Sequence, residues 1–174
     1  RAHHEGTFQH CLVVTGVVTT FAEATGMSRR DTAALTTAGL LHDIGKAMTP
    51  VEILDKPTDL SPSELAILRE HPVRGFDYLH AQANVSGDIL SAVRNHHEYL
   101  DGSGYPDGLR GSEIGDVVRI LTICDIFGAL IEQRAYKPAM PTGAALALLD
   151  DMARKGKVET ALVRALAYAV DPTA

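Results

Sequence analysis

What is scarce in this chain narrows its chemistry first. Of 174 residues only two are cysteine, Cys11 and Cys124, and they stand far apart with no CxxC and no paired framework. That argues against a disulfide scaffold. Both read as small buried hydrophobes, and a reducing cytoplasm suits them. No apolar run reaches the roughly 18–20 residues that a bilayer-spanning helix needs, so no membrane span is expected in this segment. The opening RAHHEGTFQH is polar and lacks the apolar stretch of a secretion signal. It also lacks an initial Met, which suggests a fragment of a longer regulated protein, read here as one domain over residues 1–174. A basic surplus is missing too. The formal net charge of −6 argues against duplex nucleic acid as a partner, because such binders carry a basic face. A small anionic ligand remains admissible, since a few placed cations or metal ions reverse the sign locally. No alternating strand pattern persists for five residues.

What is present is helical. Hydrophobic residues make up 45 % of the chain, enough for a globular core. FQHCLVVTGVVTTFAEATG spaces its apolar residues by three and four and ends at Gly26. A second helix is expected from an N-cap at Asp31 to a break at Gly45. SPSELAILREH carries a capping box, with Ser61, Pro62 in the first turn and Glu64 three residues on, and ends at His71. VRGFDYLHAQ, SGDILSAVRNHH, EIGDVVRILTICDIFGALIEQR, TGAALALLDDMARKG and VETALVRALAYAV complete the set. Two Pro- and Gly-bearing loops, near 47–60 and 99–112, interrupt it. The expected fold is all-α: a single compact helical bundle with two ordered loops. The apolar last helix is expected to pack on the core, with an oligomer as the other use of that face.

The chain has eight histidines: His3, His4, His10, His42, His71, His80, His96 and His97. His10, His42, His71, His96 and His97 fall in or at the ends of apolar helices. Asp43 follows His42, and Asp125 lies inside ILTICDIFGALI. Each alone has an ordinary reading: a hydrogen-bonded histidine, or a capping or ion-paired aspartate. A lone aspartate on an apolar face is costly without a partner or a cation. Together, five imidazoles and two carboxylates on separate helices can converge inside a bundle. Mixed nitrogen and oxygen donors suit first-row transition metals. Seven are too many for one tetrahedral ion and suit two ions with a bridging carboxylate. No Ser/His/Asp arrangement suggests a nucleophile.

The order of these residues resembles a known family. LLHDIGK at 40–46, HP at 71–72, HHE at 96–98, DGSGYPDGL at 101–109, RILTICD ending at Asp125, and RAYK at 134–137 are similar to the HD-GYP family of the HD superfamily of metal-dependent phosphohydrolases. The resemblance is strong from His10 to about Lys137. It implies hydrolysis of cyclic di-GMP to linear pGpG, either ending there or running on to GMP, in the bacterial cytoplasm, by a metal-bridging hydroxide. It also implies an upstream receiver or sensory domain. The implied metal ligands are His10, His42, Asp43, His71, His96, His97 and Asp125. His10, His42 and Asp125 are placed on one ion, His71, His96 and His97 on the other, with Asp43 as bridge. Iron or manganese is expected first, with nickel, cobalt or zinc as alternatives. Lys46 is implied near the scissile phosphate, catalytic together with Asp43. Tyr105 and Pro106 shape the pocket wall, and Arg134 and Lys137 contact substrate. Arg119 reads as a structural ion-pair residue.

Two positions depart from the family pattern. A glutamate that supplies a third metal in some members is replaced by Gly6, which leaves a two-metal site, with His3, His4 and Glu5 as an unusual further ligand source. DIFGAL carries Gly128 where an aspartate is common, a change expected to weaken substrate positioning or alter pocket hydration. These departures keep two alternatives in view: a low-activity cyclic-dinucleotide receptor, and an HD-type hydrolase of another nucleotide.

Overall fold

The structure, a computed structural model, describes residues 2–82, 84–133 and 138–172, with side chains from Gly6 onward. Helix α1 (Ala2–Thr25) begins before the apolar pattern and stops where Gly26 turns to φ 67°. There the Met27 N–H reaches the Ala22 carbonyl at 3.0 Å, a glycine-dependent helix end. Helix α2 (Arg29–Leu41) starts earlier than expected. Its N-cap is Ser28, whose Oγ accepts from the Asp31 N–H, so Asp31 sits inside the first turn. It also stops earlier. His42 and Asp43 form a turn, and Ile44–Met48 follows as a 3-10 helix. The reason is tertiary: a Cβ at Gly45 would lie 1.8 Å from the His71 carbonyl oxygen, so this turn presses backbone to backbone on the next layer.

The expected 47–60 loop holds a short helix, α3 (Val51–Leu54). Helix α4 (Pro62–Leu68) has the full capping box, Ser61 and Glu64 each bonding the other's backbone N–H. It ends before His71, which opens α5 (His71–His80) instead. Helix α6 (Gly87–Asn95) delivers His96 and His97 just past its end. A loop with a single isolated bridge between Asp101 and Arg110 leads to α7 (Asp116–Ile131); no other strand pairing occurs among the described residues. Helices α8 (Thr142–Arg154) and α9 (Thr160–Val170) close the bundle.

The central element is α7, buried on almost every side, as its continuous apolar run dictates. It is sheathed by α1, α2, α6, α8 and α9. Phe21, Leu35, Leu121, Phe127, Leu149 and Leu166 are fully buried in this core, each worth about 1.5–3 kcal/mol of transfer free energy. The last helix packs on this core through Val163 and Leu166. Asp125 sits in the middle of α7, so the bundle that buries the apolar residues also buries a carboxylate. No helix among the described residues is long and apolar enough to cross a membrane.

Candidate metal centre

Four elements aim imidazoles at one point beside Asp125: α1 with His10, the end of α2 with His42, the start of α5 with His71, and the end of α6 with His96 and His97. His10, His42, Asp43, His71, His96 and Asp125 are buried and His97 is half-buried. Donor atoms of Asp43, His71, His96 and His97 lie within 4.8 Å of one another, as do those of His10, His42 and Asp43, and those of His42, His96 and Asp125. Asp43 is shared by two of these groups. The structure therefore gathers all seven residues singled out in the sequence.

The histidine tautomers are set by the backbone. The Nδ1 atoms of His42, His71 and His96 each lie 2.8 Å from a carbonyl oxygen three residues earlier, of Gly39, Leu68 and Val93. A carbonyl only accepts, so each neutral ring carries its proton on Nδ1 and turns a bare Nε2 lone pair inward. Thr122 of α7 donates to the His96 carbonyl at 3.0 Å and pins that turn. With both Nδ1 protons committed, the 3.3 Å approach of His71 Nε2 to His96 Nε2 sets two lone pairs face to face. Asp43 Oδ1 lies 3.2 Å from His71 Nε2, and neither Asp43 Oδ1 nor His42 Nε2 has a hydrogen-bond partner. Orphaned acceptors at full burial are expensive. Converging acceptors without protons are what a cation requires, and the donor set fits first-row transition ions.

The electrostatics agree. Burial alone would raise the Asp43 and Asp125 carboxyls, yet both are held well below the usual carboxylate range. Lys46 and His42 outweigh burial at Asp43, and the hydrogen bond from His10, with the nearby His42 and His97 rings, outweighs it at Asp125. His96 is pushed well down by burial and by the neighbouring rings, and burial brings His97 down to about 4. The site thus offers two carboxylates and, at His96 and His97, neutral imidazoles at neutral pH. At His42 burial is outweighed by Asp43 and Asp125, which raise it: this corner of the site draws positive charge. Lys46 Nζ is 2.6 Å from Asp43 Oδ2. His10 Nε2 meets Asp125 Oδ1 at 2.8 Å, and its Nδ1 lies 3.3 Å from Glu132.

The GYP loop is bound to the centre by Glu98, a residue that motif reading passed over. Its buried carboxylate accepts the N–H groups of Asp107, Gly108 and Leu109 at 2.6, 3.0 and 3.0 Å. Gly104 packs so closely that a Cβ would lie 2.4 Å from the Glu98 Cα, and Gly102 takes φ 79°. The result places the Tyr105 ring on His97, centroids 4.7 Å apart and planes at 24°. Arg69, also missed, lies over the same ring at 5.1 Å. Tyr105 and Pro106 line a groove that runs from the loop onto α4 and α5. Only the third position of HHE signalled Glu98; nothing in the sequence signalled Arg69 or Glu132.

Arg119 bonds the Ile114 and Gly111 carbonyls and Glu159, a structural role. Gly128 does not face the centre. A Cβ there would lie 3.0 Å from Val14 Cγ2, so it serves the α1–α7 contact. Arg134 and Lys137, and the side chains of His3, His4 and Glu5, lie outside the described residues.

Comparison with known proteins bears on these observations. A family model described as HD domain matches residues 2–162. The cyclic di-GMP phosphodiesterase response regulator RpfG of Xanthomonas campestris pv. campestris (strain 8004) is 40 % identical over 139 residues, 79 % of this chain and 36 % of its own length. The 3'3'-cGAMP-specific phosphodiesterase 1 of Vibrio cholerae serotype O1 is 35 % identical over 161 residues, 91 % of this chain and 37 % of its own length. The chain thus spans little more than a third of these curated relatives. Among solved structures, Bd1817, an HDG"Y"P protein from Bdellovibrio bacteriovorus, shares the fold with a TM-score of 0.74 at 23 % identity, over 91 % of this chain and 50 % of its own. With the HD, HHE and GYP motifs each in place around one buried cluster, the chain belongs to the HD domain family, in its HD-GYP branch.

Proposed function

We propose that this chain is a metal-dependent phosphodiesterase that opens cyclic di-GMP to linear pGpG. The observation that carries this reading is the inward convergence of bare Nε2 lone pairs on Asp43, with Asp43 Oδ1 and His42 Nε2 left without hydrogen-bond partners. Two first-row ions fit the donor set, iron or manganese first, with nickel, cobalt and zinc as alternatives. His10, His42 and Asp125 would hold one, His71, His96 and His97 the other, with Asp43 between them. When bound, such ions lower the pKa of a shared water and stabilise charge in an in-line displacement at phosphorus.

The protein's own groups do the rest. Lys46, held on Asp43, would meet a phosphate oxygen. Tyr105 and Pro106 wall the approach, and Arg134 and Lys137 are assigned to substrate on the strength of the RAYK motif alone. The thiols are no competitors as nucleophiles: burial, chiefly, pushes Cys11 up to about 12 and Cys124 higher still. The names of the relatives support a cyclic dinucleotide as substrate. The response-regulator relative supports a receiver domain upstream, and with it the bacterial cytoplasm as compartment. The test is turnover of cyclic di-GMP by protein reloaded anaerobically with ferrous iron or with manganese. Linear product abolished by Asp43→Ala is expected; binding without any product under every metal would leave a receptor instead.

A further inference from the structure

The groove beside the GYP loop has an opening of about 480 Å³, and its walls are mainly apolar: Pro62, Leu65, Ala66 and Val73 from α4 and α5, with Pro106 opposite. At its head stands Arg69, exposed, its guanidinium over the Tyr105 ring. Among the described residues this guanidinium makes no hydrogen bond and no ion pair. The one carboxylate of the groove, Glu70, is engaged by Arg74, which is itself held by the Met48 carbonyl. Arg69 is therefore a planar fork of donors, oriented by an aromatic face and left without an acceptor. Tyr105 is also stacked on His97, so the groove begins one ring away from the metal centre.

We propose that Arg69 is a specificity-determining residue: with Tyr105 it forms a purine subsite beside the metal centre and selects guanine over adenine. This deepens the phosphodiesterase reading above and rests on it. A strongly hydrated phosphate gains little from apolar walls, whereas a flat heterocycle is buried by them. Guanine presents two acceptors, O6 and N7, on one edge, and a guanidinium fork meets both. Adenine presents N7 beside an amino group, which sets donor against donor. With His97 and Arg69 both over Tyr105, the ring has little face left for a base. Its part is to aim the guanidinium.

The experiment compares wild-type protein with Arg69→Ala and Arg69→Lys. Steady-state kinetics on cyclic di-GMP, cyclic di-AMP and the base-free bis(p-nitrophenyl) phosphate are paired with calorimetric binding of linear pGpG and pApA to metal-stripped protein. The expected result is a fall in kcat/KM for cyclic di-GMP of about ten- to a hundredfold in Arg69→Ala, carried by KM. That loss exceeds any loss on the base-free diester at least about tenfold, and the guanine preference in binding collapses. Lysine restores little, because it lacks the fork. An unchanged guanine-to-adenine ratio, or equal losses on all three substrates, overturns the subsite and leaves the phosphodiesterase reading standing. Cleavage of the base-free diester but of no dinucleotide by the wild type removes the substrate reading, and the subsite with it.

Discussion

Replacing Glu98 tests how the GYP loop is held. Glu98 is 2 % exposed, and its carboxylate accepts three backbone N–H groups in succession. A hydrogen bond to a charged group is worth about 1.5–3 kcal/mol net. The three are not additive, because they share one carboxylate whose own burial opposes folding. The loop also faces solvent, so water recovers some of the freed donors. A loss of about 2–4 kcal/mol is expected for Glu98→Ala. Glu98→Gln is the sharper probe. It keeps the shape and the two bonds at Oε1, but it turns an amide N–H₂ toward the Leu109 N–H, so about 1–3 kcal/mol should be lost. Urea denaturation measures the global change, and hydrogen exchange at Asp107, Gly108 and Leu109 measures the local one. Exchange at these amides should speed up in both variants, together with loss of cyclic di-GMP turnover as Tyr105 leaves His97. A glutamine variant within about 0.5 kcal/mol of wild type, with exchange unchanged, would refute the clamp.

Other expectations follow from the same contacts. Gly45→Ala drives a methyl into the His71 carbonyl and should cost about 3 kcal/mol or more, with metal content falling in parallel because Asp43 and His71 are displaced together. Gly128→Ala meets Val14 at 3.0 Å and should cost about 1–3 kcal/mol in chemical denaturation, without changing KM, since the position lies in a helix contact and not in the site. Glu64 is held down at about 2 by Lys56 and by the Ser61 cap. Its folded-state value lies below its unfolded one, so its contribution is complete above about pH 4.5 and is lost as pH falls through 2. The difference in Tm between wild type and Glu64→Gln should therefore shrink between pH 6 and pH 2.

Much of the molecule was legible in local pattern. The helices were visible as apolar spacing, and the Ser61–Glu64 capping box reads directly because its partners are three residues apart. The convergent cluster was visible because buried histidines and an aspartate in apolar helices are expensive without a shared purpose. What escaped was tertiary in origin. The end of α2 is decided by the contact of Gly45 with His71, which are distant in sequence, so local pattern alone extends the helix through the 3-10 turn. Asp31 suits a cap by residue type, but Ser28, three residues earlier, holds that position. The family pattern points Gly128 at the pocket, whereas its neighbours are Val13 and Val14. Glu98 and Arg69 act on a loop whose path no local rule predicts.

The measurement that bears most directly on the central claim is the metal content of the wild type and of Asp43→Asn, each purified without chelator and reloaded with ferrous iron or manganese. Asp43 is shared between two of the donor groups, so one substitution would address both of the proposed ions. The account predicts about two first-row ions per chain in the wild type and fewer than about one in the variant, with both proteins folded. Fewer than about one ion in reloaded wild type, or full retention in Asp43→Asn, would contradict it.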